Sequence, residues 1–296
     1  MADNMRLIIV SGLSGSGKSV ALHVLEDLGY YCVDNMPAAL LGAVVDEVRS
    51  GSDQTVTLMA IGVDARNRSK DLDALPKHIA ELQAGGLQVD VLFLQANDDV
   101  LMKRYSESRR RHPLADHDTA LHTAIATERE LLSELLNSAD LIIDTSRLSV
   151  YELADAIRER VDQRTTGRLS VLIESFGFKN GIPADADFVF DMRGLPNPYW
   201  TIELRGLTGK DEEVVSFLDA QSDVDLMYED VLTFLARWIP RYNDAHRSYL
   251  TVAIGCTGGQ HRSVYMAERL AVALRELHDP VLTRHNELGS HPIEKQ

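Results

Sequence analysis

Short apolar runs recur along the first half of the chain, at 7–10, 30–34, 55–63, 89–94 and 141–145. Each suits a buried strand and is too short for a helix. Between them, apolar residues return at helical spacing over 18–28, 38–48, 72–83, 100–111, 121–136 and 150–161, which predicts amphipathic helices. Strands alternating with helices specify βαβ units and a parallel sheet covered on both faces. A polar stretch without apolar period, 164–168, then reads as a linker. Beyond it, strands are predicted at 169–175, 188–191 and 249–255, with a further short run at 281–283. Helices are predicted over 214–239, broken near Ser222, and over 263–277. The expected organisation is α/β in both halves: a first domain at 1–163, a second at 169–288, and a loose tail at 289–296.

Charge narrows the range of partners. The 296 residues carry 45 acidic and 30 basic side chains, a formal charge of −15. That balance opposes non-specific attachment to nucleic acid or anionic membrane. The two cysteines, Cys32 and Cys256, make no zinc or disulfide framework, and a reducing cytoplasm is the expected setting. Residues 1–6 lack a signal-peptide profile, and no apolar run approaches the ~20 residues of a membrane span.

The strongest chemical signal lies between the first strand and the first helix. Gly12-Leu13-Ser14-Gly15-Ser16-Gly17-Lys18-Ser19 fits G-x-x-x-x-G-K-[ST], the phosphate-binding P-loop. Glycines let the backbone wrap a phosphate, and the amides converge on it at a helix N-terminus. Lys18 is expected at the β- and γ-phosphates and the Ser19 hydroxyl on Mg²⁺. The first domain is therefore P-loop NTPase- or kinase-like. Asp64 ends the strand at 55–63 and is placed to hold Mg²⁺ or its water. Asp34 ends the neighbouring strand, either as a base or substrate anchor or as a turn residue. Arg104, Arg109, Arg110, Arg111 and His112 read equally as a helix C-terminus and as a lid carrying guanidinium to the phosphates.

A second phosphate cradle is written in the second domain. Cys256-Thr257-Gly258-Gly259-Gln260-His261-Arg262 fits C-x₅-R between a strand and a helix. That spacing lets amides, arginine and helix N-terminus surround one tetrahedral anion. Three readings stay open: a phosphate or phosphosugar site, a cysteine phosphatase, and a turn with no ligand. The phosphatase needs a Cys256 thiolate and a general acid, for which Asp191 is the candidate. Lys179 and Arg193 are placed to reach the same anion. Tyr199 and Trp200 read as core packing or as a sugar-stacking surface.

Together these stretches resemble the RapZ/YvcJ family of bacterial nucleotide-binding proteins: VSGLSGSGKSVAL, YYCVDNMP, RYSESRRRHPL, ADLIIDTS, ESFGFKNGIP, DADFVFDMRGLPNP and SYLTVAIGCTGGQHRSVY. The resemblance implies binding of ATP and GTP with Mg²⁺ and weak ATPase and GTPase activity. It implies that Asp64, Ala65, Arg66 and Asn67 contribute to the GTP site. It implies a C-terminal sensor of glucosamine-6-phosphate or a similar phosphosugar, with Lys179, Cys256, Thr257, Gly258, Gly259, His261 and Arg262 at the sugar phosphate. It also implies a homo-oligomeric regulatory adapter that presents small regulatory RNA to an endonuclease. In two places the chain departs from the pattern. Residues 284–296 offer only Arg284 and Lys295 as full positive charges where the RNA-binding branch is strongly basic, which predicts weak RNA binding. Tyr199 stands where the sugar-recognising branch has histidine.

Overall fold

The computed structural model describes residues 5–50, 56–67, 69–108, 110–115, 119–162, 169–245 and 247–288. Arg109, the linker 164–168, the tail 289–296 and with it Lys295 lie outside the described residues. Two compact units divide the chain, at 1–162 and 163–296.

In the first unit the elements run β1 (Arg6–Gly12), α1 (Lys18–Asp27), β2 (Tyr31–Val33), α2 (Leu41–Ser50), β3 (Leu58–Gly62), α3 (Ser69–Ala84), β4 (Gln88–Gln95), α4 (Asp98–Ser108), α5 (Leu121–Leu131), α6 (Ser133–Asn137), β5 (Leu141–Asp144) and α7 (Val150–Asp162). The sheet order is β2-β3-β1-β4-β5, all parallel. All seven residues of β1 are buried, as expected of a central parallel strand covered on both faces. Leu7, Ile9, Met59, Ile61, Val91 and Phe93 form the middle of the core. The carboxyl end of β1, between β3 and β4, is where an open α/β sheet leaves a crevice.

Three expected boundaries shift. β3 starts at Leu58, opposite Arg6, where β1 starts. The helix at 121–136 breaks at Leu132 into α5 and α6, and both Leu132 and Leu135 enter the core. α4 ends at Ser108, so Arg110, Arg111 and His112 are not helical and cannot serve as a helix C-terminus.

The second unit runs β6 (Ser170–Gly177), β7 (Phe188–Asp191), α8 (Glu212–Asp219), α9 (Ser222–Asp244), β8 (Tyr249–Cys256), α10 (Arg262–Arg275) and β9 (Val281–His285). Its sheet, β7-β8-β6-β9, is also wholly parallel. Val171, Ile173, Leu250, Val252 and Ile254 pack with α8, α9 and α10 into one core. β9 is longer than its apolar run, because Arg284 and His285 continue the ladder with Glu174 and Ser175. Arg284 donates to Glu174 at 2.6 Å and is mostly buried. It is a core ion pair rather than a charge of the tail.

Candidate functional sites

The P-loop of the first unit closes over the end of β1. The Leu13 N–H donates to Leu94 O and the Ser16 N–H to Leu13 O, both at 3.0 Å. Among the described residues, the amides of Gly15, Gly17, Lys18 and Ser19 have no protein acceptor. These four lie at the start of α1, where an anion satisfies such amides. Gly17 has φ 110°, and a Cβ there would lie 2.5 Å from Leu153 Cδ2; no other residue fits this turn without strain. Lys18 donates to Gly12 O at 2.6 Å, so its ammonium is folded over the loop. Ser19 is exposed. On α4, Arg104 reaches the same loop: it donates to Gly15 O at 2.9 Å and to Thr145 O at 2.6 Å. It is the one arginine of its stretch that the described structure joins to the P-loop. Arg110 and Arg111 are exposed.

A carboxylate absent from the sequence-based expectations touches the P-loop directly. Glu128 on α5 is fully buried. It accepts from the Ser14 N–H at 2.9 Å and from the Ser14 hydroxyl at 2.6 Å, and lies 3.1 Å from His112 Nε2. The Ser14 amide is therefore spoken for by the protein. Burial pushes the Glu128 carboxyl up, but its bonds to His112 and Ser14 outweigh this and hold it below its ordinary value. In sequence Glu128 looks like one polar residue in an amphipathic helix; only the packing of α5 brings it to the loop. His112 is turned inward by the same contact, so it is no lid residue.

Acidic groups converge on Lys18. Burial lowers its pKa, while Glu128, Asp64 and Asp34 act against that shift. Asp64 is buried just past β3, and Arg66 donates to its Oδ2 from Nε at 2.8 Å and from Nη2 at 2.5 Å. Burial raises the Asp64 pKa, but the Arg66 bonds dominate and leave it lowered. Of its neighbours, Ala65 belongs to the core. The Asn67 amide is committed to Ala38 N–H, Met36 O and Asp64 O. Asp34 is exposed and accepts from its own neighbour, the Asn35 N–H, at 2.7 Å. A hollow beside it is lined by Asn35, Pro37, Leu40, Arg66 and Asn67. Among the described residues no group of three acidic, histidine or cysteine side chains could by itself hold a metal ion. Ser19 and Asp64 fit Mg²⁺ only as partners to phosphate oxygens, which would complete its shell.

The second cradle follows β8. The Gly259 N–H donates to Cys256 Sγ at 3.2 Å, and Ser263 Oγ lies 3.1 Å from the same sulfur. Among the described residues, the amides of Gly258, Gln260, His261 and Arg262 have no protein acceptor. Gly259 has φ 76°, and a Cβ on it would meet Gly177 N at 2.7 Å, so the loop lies flush on the end of β6. Arg262 is 4% exposed. Its Nη1 donates to Arg193 O at 3.0 Å and Leu195 O at 2.9 Å, fixing the guanidinium plane. Its Nη2 faces Thr257 Oγ1 at 3.4 Å, and its buried Nε has no partner. Nε and Nη2 form the edge that grips a phosphate bidentately, and a buried unpaired donor is costly unless a ligand meets it.

The other residues of this cradle divide. Lys179 is exposed, and its backbone N–H donates to Thr257 O at 3.3 Å, which sets it at the rim. The His261 ring is buried and its Nε2 donates to Leu204 O at 3.1 Å. Arg193 donates to Asp191 Oδ1 from Nε at 3.0 Å and to Oδ2 from Nη2 at 2.7 Å, which holds that carboxyl below its ordinary value. Asp191 is thus committed to Arg193 and poorly suited to donate a proton. Trp200 is 76% exposed and Tyr199 46%, so neither is core; the Arg205 guanidinium stacks on the Tyr199 ring at 4.7 Å.

Comparison with known proteins bears on both units. The family model for the RapZ-like N-terminal domain matches residues 5–165, and that for the RapZ C-terminal domain matches residues 169–289. A "Nucleotide-binding protein" of Halorhodospira halophila is 53% identical over 97% of this chain and 100% of its own. One of Alkalilimnicola ehrlichii is 53% identical over 97% of this chain and 99% of its own. Among solved structures, shikimate kinase from Acinetobacter baumannii covers 55% of this chain and 97% of its own, at 15% identity and a TM-score of 0.37. With both halves matched in order, the chain belongs to the RapZ family.

Proposed function

We propose that this protein binds ATP or GTP with Mg²⁺ in its first unit, hydrolyses it slowly, and senses a phosphorylated amino sugar in its second. The observation that carries this is the pair of backbone nests. Among the described residues, each has four amides without a protein acceptor and a cation held beside them. Relatives named as nucleotide-binding proteins support the first half. The buried unpaired Nε of Arg262 supports the second.

In the first unit, a bound Mg²⁺–nucleotide would supply the electrophilic phosphoryl group. The protein's part is to hold and balance it. The free amides would hold phosphate oxygens, and Lys18 would release Gly12 O to neutralise phosphate charge. Ser19 and Asp64 would hold the cation, and Arg104 braces the loop through Gly15 O. In the second unit, the amides and the Arg262 edge take the phosphate of glucosamine-6-phosphate or a similar ester, with Lys179 at the rim. The regulatory output belongs to the adapter role that the family resemblance implies, in which small RNA is presented to an endonuclease. The net charge of −15 and the burial of Arg284 weigh against RNA binding through the C-terminal end.

Calorimetric titration with ATP, GTP and glucosamine-6-phosphate, alone and in pairs, tests the two binding assignments, and release of inorganic phosphate from ATP or GTP tests the hydrolysis. The expected result is saturable heat from a nucleotide and from the phosphosugar. Absence of heat from every nucleotide overturns the first half, and absence of heat from the phosphosugar the second.

A further inference from the structure

The second cradle holds a thiol that anion binding alone does not require. Cys256 is 3% exposed and lies at the floor of the nest, under the Gly259 N–H and beside Ser263 Oγ. Burial raises its pKa, but Ser263, the Gly259 N–H and Arg262 outweigh this and lower it. Cys32 is the opposite case. Burial and the nearby Glu26 push that thiol up to about 11, and its Sγ donates to Leu22 O at 3.4 Å.

A second group points to the same place. Arg262 is pinned by two carbonyls and leaves its buried Nε unpaired over the cradle. Its Nη2 lies 3.4 Å from Thr257 Oγ1, the residue after Cys256, so the unpaired guanidinium edge and the sulfur belong to one cradle. Cleavage of a phosphate ester would also need a proton donor for the leaving alkoxide. Asp191 is held ionised by Arg193, and the His261 Nε2–H is spent on Leu204 O. Glu287 beside Gly259 is likewise engaged, by the Gly177 N–H and the Asn180 amide. With these groups committed elsewhere, a sulfur that accepts the Gly259 N–H at the floor of an anion nest is poorly equipped for ester cleavage and suited to oxidation by a small peroxide that enters the nest.

We propose that Cys256 is an oxidant-sensitive thiol, and that a hydroperoxide acting on it switches off anion binding in this cradle. The proposal rests on the reading of the cradle as a phosphosugar site. In the step, the thiolate sulfur attacks the distal peroxide oxygen. An S–O bond forms as the O–O bond breaks. Sulfur is oxidised to the sulfenate level, the peroxide is reduced, and the departing oxygen takes a proton to leave as water or alcohol. The added oxygen and its charge then compete for the amides that the phosphate ester needs. A thiol reductant reverses the change.

The test uses the reduced full chain, titrated with glucosamine-6-phosphate before hydrogen peroxide, after it, and after dithiothreitol. Peptide mass spectrometry scores oxidation at Cys256 and Cys32. The expected result is oxidation at Cys256 ahead of Cys32, slowed by saturation with the phosphosugar. Affinity should fall by about tenfold or more and recover with dithiothreitol, and Cys32→Ser should respond as the wild type does. If the reduced protein binds but peroxide leaves its affinity unchanged, or if Cys32 is oxidised first, the proposal is overturned and the binding reading stands. If the reduced protein does not bind, that reading falls and the proposal with it.

Discussion

The two nests solve one problem with different surroundings. Both follow a buried parallel strand and open a helix, and both leave four amides free. Around the first lie a lysine ammonium, Lys18, held on Gly12 O, and three carboxylates, Glu128, Asp64 and Asp34. Around the second lies a rigid cation, Arg262, and the nearby acids are engaged: Asp191 by Arg193, and Glu287, which packs on Gly259, by the Gly177 N–H and the Asn180 amide. Acidic groups beside a phosphate nest make sense when a divalent cation arrives with the ligand. A nest without available acid suits a bare dianion. The contrast in side chains thus says more about ligand class than the shared backbone shape does.

The largest effect expected from breaking this contrast is at Glu128. Removing it by Glu128→Ala leaves Ser14 and His112 facing each other across a buried gap, a loss on the order of 3–5 kcal/mol. Denaturation followed by hydrogen exchange should show the first unit weakened and the second unchanged. The pH dependence has a defined sign. A carboxyl held low in the folded state adds stability above its unfolded pKa, and that stability is lost as pH falls through the folded value. The acid limb of the first unit should therefore flatten in Glu128→Gln. An unaltered limb would remove Glu128 from the account.

Next come the two cations. Lys18→Ala should cost nucleotide affinity about 1.5–3 kcal/mol, the worth of hydrogen bonds to a charged group. Arg262→Lys should cost phosphosugar affinity a similar amount, because lysine cannot present the Nε–Nη2 edge. Calorimetry on both variants with both ligands makes a crossed test. Each variant should lose one ligand and keep the other; a variant that loses both would show that the nests are not independent. Gly17→Ala is expected to be milder for stability, about 1–2 kcal/mol for a left-handed alanine, plus the clash with Leu153. Its readouts are the melting temperature and nucleotide binding.

Much of the contrast is legible in sequence, and the illegible part has a common cause. The strands β1 and β8, the glycines and Lys18 are local: periodicity and motif spacing place them. Glu128 is not, because it reaches Ser14 across 114 positions of sequence. Nothing in the pattern of α5 marks it, since a single inward acid on an amphipathic helix looks like any solvated one. Arg284 misled for the mirror-image reason. Read as a tail charge, it is a strand residue paired with Glu174, 110 positions away. The arginine stretch on and just after α4, read equally as a helix end and as a lid, serves three separate places: Arg104 on the P-loop, His112 in the core with Glu128, and Arg110 and Arg111 exposed. Contacts set by tertiary packing decide what a charged residue does, and helical or strand period carries no record of them.

The smallest effect is the most discriminating for the first nest. Arg66 is 52% exposed and its pair with Asp64 is a half-solvated one, so Arg66→Gln should change stability by under about 1 kcal/mol. Its consequence for ligand binding should be visible. The guanidinium occupies the oxygen that a cation would need, donating to Asp64 Oδ2 from two nitrogens. Glutamine cannot hold that carboxylate as tightly. If Asp64 faces Mg²⁺ when nucleotide binds, Arg66→Gln should shift the Mg²⁺ requirement for ATP or GTP binding to lower concentration, by a few-fold. If Asp64 is only an anchor for the turn after β3, the Mg²⁺ titration will overlay that of the wild type while melting changes slightly. The two outcomes separate a metal-facing acid from a structural one at a position where burial and charge look the same.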